Sequence, residues 1–305
     1  MTGTQYGNGR EDEALAQIAF DALVGQLALA PKPGLPDPRE RTARDHSDLR
    51  WSAQALLPGL IAMAATARRT GEPSARLRMD LGAIGRSTEH TVALAGGGHR
   101  GALWTLGLLV AAAALRPGAT PADTMALAKQ LAAHPDRRAP RRPSRGSTVS
   151  ARYGAAGAKG EARAGFPHVR RALTALAETR AQGATEPQAR LDALLTVMST
   201  LQDTELLYTA GPLGLRRVQA GARGVLDAGG TATEPGAVAL RALDADLTEH
   251  TWAPRGSAPL LTGALFLDAL KPVGGAGNCA NSPHAPAPRT QPSTDAMHPH
   301  PALSP

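Results

Sequence analysis

Alanine and leucine dominate the apolar residues of this 305-residue chain, and that choice constrains the fold more than any other feature. Aromatic residues make up only 3% of the chain, and isoleucine occurs only at Ile18, Ile61 and Ile84. Strands favour β-branched and aromatic side chains that pack on a pleated surface. Alanine and leucine lose little freedom in a helix and are its best formers. With 42% hydrophobic and 19% charged residues, the chain has enough apolar material for a core. The expected class is all-α, a single multi-helix globular domain.

Periodicity sets the limits of that domain. Residues 1–10 are polar and read as a flexible N-terminus. From Glu11, the residues Leu15, Ile18, Ala19, Ala22, Leu23 and Leu27 recur at steps of three and four, until Pro31 and Pro33 stop the helix. A polar loop is expected from Lys32 to about Leu49. A helix from near Trp51 should bury Leu56, Leu57, Leu60 and Ile61. Leu77, Leu81 and Ile84 mark a third helix, and a shorter one carries Glu89. Gly96, Gly97 and Gly98 break the pattern before an apolar helix from Arg100 to Leu115. Thr120, Pro121 and Asp123 supply a cap, a first-position proline and a first-turn acid for another. The basic, proline-containing stretch from Pro135 to Ser150 reads as a loop. Further helices are expected over 167–180, 187–201, 213–226, 235–247 (capped by Thr233) and 257–270. Residues 11–271 thus form the helical domain. Residues 272–305, with almost no large apolar side chain, read as a disordered Pro/Ala/His-rich tail.

A formal charge of +7 favours polyanionic partners. The lone cysteine, Cys279, excludes an intramolecular disulfide or a thiolate metal cluster. The start, MTGTQYGNGREDEAL, lacks the apolar run of a signal peptide, and the longest apolar stretch, 101–115, is too short to span a bilayer. The expected compartment is the cytoplasm, with no membrane partner.

Five polar clusters between helices carry the candidate chemistry. In 30–37, prolines stiffen a turn that presents Lys32, whose ammonium suits a phosphate. His46, Ser47 and Asp48 offer a histidine and a carboxylate two apart, suited to a metal or to proton transfer. Gly96 to Gly101, with Gly98, His99 and Arg100, opens a helix whose free amides attract an anion. Residues 152–167 crowd Arg152, Tyr153, Lys159 and Glu161 among glycines. Gln202, Asp203, Thr204 and Glu205 close a helix with acids suited to a metal or hydroxyl contact.

Taken in order, these clusters resemble the triphosphoribosyl-dephospho-CoA synthase family over about residues 12–270. APKPGLPD at 30–37 is similar to the family's T-P-K-P-G-L-V-D, and His46-Ser47-Asp48-Leu49 to H-x-D-[LM]. GHRGALWTLGLL at 98–109, RYGAAGAKGEARAGFPHV at 152–169, QDTELLYTAGPLGL at 202–215 and GSAPLLTGALFLDAL at 256–270 complete the series. The chain departs from the pattern at Arg50, Gln202, Thr209 and Pro259, where the family carries charged residues, and His99 follows three glycines in place of G-G-V-N-T. RLDALL and FLDAL point to the malonate decarboxylase branch.

The resemblance implies that the ribose 2′-hydroxyl of 3′-dephospho-CoA attacks the anomeric carbon of ATP and releases adenine. The product is the prosthetic-group precursor of the malonate decarboxylase acyl carrier protein. Such a glycosidic substitution needs a base at the nucleophile and a proton donor at the adenine. Lys32, Arg100, Arg152 and Lys159 are the expected phosphate ligands, with His46, Gly98, Tyr153, Thr204 and Ser257 completing substrate binding. Asp48, Glu161 and Asp203 are candidates for the base, Asp48 and Asp203 for Mg²⁺, and His99 for proton donation. Two other readings stand beside this one: a catalytically impaired relative that binds ATP without turnover, and a nucleic-acid binder using Arg137, Arg138, Arg141, Arg142 and Arg145. The latter lacks interleaved aromatics.

Overall fold

The structure, a computed structural model, describes residues 3–36, 38, 43–140 and 144–270, with the backbone alone at 3–8 and 43–48. Its regular elements are all helices, and no strand occurs among the described residues: α1 Gly3–Leu27, α2 Ala43–Gln54, α3 Leu57–Thr70, α4 Ala75–Leu94, α5 Arg100–Leu115, α6 Pro121–Ala133, α7 Arg145–Tyr153, α8 Gly157–Arg163, α9 Pro167–Ala181, α10 Glu186–Met198, α11 Thr204–Thr209, α12 Gly211–Asp227, α13 Glu234–Glu249 and α14 Ser257–Ala269. The all-α expectation holds. No described helix is long and apolar enough to cross a membrane. The tail over 272–305 lies outside the described residues.

Helix ends follow local chemistry. Thr120 accepts from Asp123 N and Thr233 from Gly236 N, each capping a helix with proline in its first turn, as their sequences imply. Four expectations need correction. Helix α1 starts at Gly3, not Glu11. A helix, α2, occupies 43–54 within the stretch read as a loop, so His46, Ser47 and Asp48 lie on a helix. The third helix and the one carrying Glu89 are a single element, α4. The Pro135–Ser150 loop gives way at Ser144 to α7, because Ser144 and Ser147 form a reciprocal capping box.

Helices α5 and α14 form the centre. From Ala102 to Ala114 the residues of α5 are buried except for half-buried Trp104, and α14 is buried from Leu260 to Leu267. A helix apolar on every side must be enclosed on every side. Helix α5 packs on α3, α6 and α14, while α14 also meets α1, α9 and α10. Small residues set their separation: a Cβ at Gly263 would lie 2.8 Å from Thr105 Cγ2 and 3.1 Å from Leu109 Cδ1. One turn earlier, Gly101 faces Pro259, where a Cβ would lie 2.6 Å from Cγ. Positions therefore advance together along both helices. They run parallel, with both N-termini at one end of the core.

Gly263→Val would overfill this contact. The expected loss is about 1–3 kcal/mol of unfolding free energy, read as a lower urea midpoint; an unchanged midpoint would show that the two helices are not closely packed there.

Candidate functional site

The parallel pair brings four of the sequence clusters into a closed circuit of contacts. Gly101 at the start of α5 lies under Pro259 at the start of α14. The turn before α14 is tied to the turn before α11, since Gly256 N donates to Asp203 Oδ2 at 2.7 Å. The start of α11 touches the start of α8: a Cβ at Gly157 would lie 3.4 Å from Thr204 Cγ2. Helix α8 returns to α5, because the Trp104 indole donates to Ala158 O at 3.2 Å. Helix α2 joins at Gly97, which sits against the buried Ser52, and the Ser52 hydroxyl lies 2.9 Å from His99 Nε2.

The first cluster lies against α13 and the segment that leads into α14. Gly34 N donates to Asp244 Oδ1 of α13, and Gly34 packs against Trp252 and Leu247. The Lys32 ammonium is buried and donates to Gln26 O at 3.1 Å and Leu27 O at 3.0 Å, among its contacts. It caps carbonyls at the C-terminus of α1, where the helix dipole favours a cation.

The other expected residues divide. The Ser52 hydroxyl donates to Leu49 O, so His99 presents Nε2–H to the Ser52 oxygen. Burial lowers the His99 pKa, the Leu49 carbonyl opposing, and the ring is neutral at neutral pH. It anchors α2 to α5. Arg100 is exposed and pairs with Glu89 at 3.1 Å. Gly98 is exposed with open space around it. Arg152 is exposed, over the ring of its neighbour Tyr153 at 5.1 Å. Lys159 is exposed on α8 and pairs with no described residue. His46 and Asp48 lie on α2, their side chains outside the described residues.

Asp203 opens a helix and does not close one. Oδ1 accepts from Glu205 N at 2.8 Å and Leu206 N at 3.3 Å, capping α11, while Oδ2 takes Gly256 N. Burial raises its pKa to about 6 against the three amides that favour the carboxylate. Thr204 follows as the first residue of α11, and Ser257 is fully buried at the start of α14. Of the basic run, Arg145 pairs with Glu205 and covers Tyr208, and Arg141 and Arg142 lie outside the described residues.

A family model described as ATP:dephospho-CoA triphosphoribosyl transferase matches residues 12–277. The chain belongs to this family. It is 48% identical over 269 residues to a probable 2-(5″-triphosphoribosyl)-3′-dephosphocoenzyme-A synthase of Pseudomonas fluorescens, covering 85% of this chain and 92% of the relative. Proteins of the same name from Stutzerimonas stutzeri and Pseudomonas aeruginosa are 47% and 46% identical, covering 87% and 86% of this chain and 94% and 92% of theirs. No solved structure matches.

Within this family framework, two residues emerge that the sequence did not single out. Among the described residues, three buried side-chain atoms lack a hydrogen-bond partner: Arg78 Nε, His168 Nε2 and Ser257 Oγ. Such atoms are rare in folded proteins because each forfeits its hydration. All three lie on or against the circuit. Arg78 stacks over Trp104 at 5.0 Å. His168 opens α9 beside Glu161: Oε1 accepts from His168 N and Oε2 meets Nδ1, both at 2.8 Å. Phe166, fully buried in the left-handed region at φ 55°, provides the abrupt turn that returns α9 onto Glu161. The sequence signal was present, since His168 follows the G-F-P of the fourth cluster.

Of the two expected Mg²⁺ ligands, the Asp48 side chain lies outside the described residues and Asp203 is already hydrogen-bonded. Asp203 uses both oxygens on backbone amides, and Glu161 uses both on His168. Asp246, Glu249 and His250 lie close enough together for an ion, yet Asp246 already pairs with Arg217 and the group contains none of the expected ligands. No step below passes through a metal.

Asp203→Ala is expected to cost about 2–4 kcal/mol at neutral pH, because three amides lose their acceptor. With the folded pKa raised from 3.8 to about 6, the folded state binds the extra proton between those values. The stability of wild type relative to Asp203→Asn should therefore fall as pH rises from about 4 to 6. Urea titrations across that range check both; parallel curves for the two proteins would exclude the raised pKa.

Proposed function

We propose that this chain transfers the 5-triphosphoribosyl group of ATP to the ribose 2′-hydroxyl of 3′-dephospho-CoA, releasing adenine. The observation that carries the reading is that two of the three unpartnered buried polar atoms, His168 Nε2 and Ser257 Oγ, lie on the family's motif segments. Such groups call for a partner, which a bound substrate would supply here. The names of the relatives support the same substrates.

In the proposed reaction the C1′–N9 bond of the ATP ribose breaks, and its electron pair leaves with adenine. The dephospho-CoA 2′-oxygen forms the new bond to C1′, and its proton passes to the enzyme. Adenine takes up one proton, so the hydroxyl proton and the adenine proton balance. The Glu161 carboxylate accepts from Nδ1–H of His168, which leaves the Nε2 lone pair as a base for the attacking hydroxyl. Lys159, exposed on α8 next to this pair, joins Arg100 and Arg152 as a cation for the retained triphosphate. Asp48 and His46 on α2, Gly98 before α5, and Thr204 and Ser257 at the starts of α11 and α14 complete the proposed substrate surface. The product is assigned to the malonate decarboxylase acyl carrier protein pathway on the wording of RLDALL and FLDAL.

Purified protein with ATP, Mg²⁺ and dephospho-CoA should release adenine and form a conjugate whose mass equals the two substrates less adenine. ATP stabilising the fold without adenine release would instead support the impaired relative. His168→Ala is expected to lower kcat by about 10²–10⁴-fold with little change in KM for ATP, and Glu161→Gln to have a smaller effect in the same direction. Equal kcat in His168→Ala and wild type would remove the dyad from the mechanism.

A further inference from the structure

Beside Trp104 the structure concentrates cations that the proposed mechanism does not use. Arg78 on α4 has a side chain only 8% exposed, with Nε unpartnered and the guanidinium stacked on the Trp104 ring. Its nearest carboxylate is Asp136, at 4.0 Å from NH1. That carboxylate is already committed, accepting from Arg86 NH1 at 2.6 Å and from Arg138 N at 3.0 Å. Arg163, the last residue of α8, donates Nε to Ala132 O at 3.2 Å. It stands close enough to Arg78 for charge repulsion between them to register, as does Arg86.

Arg78 and Arg86 thus share one carboxylate, with Arg163 nearby, and Nε of the most buried of them lacks a hydrogen-bond acceptor. An anion would supply the compensation that this largely desolvated cation lacks. Guanidinium forks match phosphate oxygens in geometry as well as charge. Arg86 is one-third exposed and Arg163 is exposed, so the cluster reaches solvent on one side and is closed on the other by Trp104. Trp104 is hydrogen-bonded to Ala158, the residue before Lys159, which places the cluster against the fourth motif segment.

We propose that Arg78, Arg86 and Arg163 form a polyphosphate subsite against the Trp104 indole. The subsite rests on the reading above that the protein handles phosphoanhydride nucleotides, and it adds to the phosphate grip Arg78 and Arg86, which lie outside the recognised motifs, and Arg163 within the fourth. Its ligand chemistry is a phosphoanhydride chain, supplied by the triphosphate of ATP or by the pyrophosphate of dephospho-CoA.

Titration calorimetry of the full-length protein with inorganic tripolyphosphate, ATP and dephospho-CoA tests it without requiring turnover. Wild type should bind tripolyphosphate, and Arg86→Gln should weaken that binding by about tenfold or more, the loss of one charge-assisted contact. Arg86→Gln removes an ion pair of the nearly buried Asp136, so its melting temperature should fall, and binding is compared well below that temperature. Arg78→Lys, which keeps the charge but loses the fork, should also bind less tightly. A loss confined to ATP assigns the subsite to the triphosphate, and one confined to dephospho-CoA assigns it to the pyrophosphate. Tripolyphosphate binding no tighter than sulfate at equal ionic strength, or unchanged in a folded Arg86→Gln, overturns the subsite. Polyphosphate binding that depends on Arg86 without adenine release would retain the subsite and overturn the proposed reaction.

Discussion

The parallel contact between α5 and α14 is the constraint on which the rest depends. Both helices are apolar on nearly all sides, so they take the centre of the domain. Gly101 and Gly263 on facing surfaces let them approach closely with Pro259 and Thr105 in register. Because the pair is parallel, the turns before both helices meet at one end, and the turns before α8 and α11 attach there through Trp104 and Asp203. Segments more than 150 residues apart in the chain, such as 97–104 and 256–259, become neighbours for this reason alone.

The charged residues around this end serve two purposes that look identical in sequence. Lys32 and Asp203 are spent on helix ends: the ammonium covers carbonyls of α1, and the carboxylate covers amides of α11 and the turn before α14. Arg78 and His168 keep buried donor or acceptor capacity in reserve. Caps rigidify the turns, so the first kind holds the second in position. Asp203 illustrates the cost of the arrangement, since its burial opposes ionisation even while three amides favour it.

How much of this was legible in the chain follows from which signals are local. The helical class follows from alanine and leucine, and α6 and α13 from Thr120 and Thr233 with the prolines and acids behind them. Helices α2 and α7 were invisible because each is polar and short, and α7 is held by a Ser144–Ser147 box with little apolar periodicity. The order of motifs disclosed the family. The roles of Lys32 and Asp203 were not legible, because a residue that caps and one that binds substrate share the same side-chain chemistry and only partners separate them. Arg78 was hidden for a related reason: nothing in RLRMD distinguishes a buried arginine from Arg76, which is exposed on the same helix.

The central claim is that four separated segments act as one nucleotide-binding end of the core, and hydrogen exchange measured by mass spectrometry with and without ATP tests it most directly. Amides in 97–104, 156–163, 203–206 and 256–259 should slow together on adding ATP, while α12, α13 and the shallow depression lined by Ile18, Asp21, Arg190 and Leu265 stay unchanged. Protection confined to those other regions, with the four segments exchanging as before, would contradict the account.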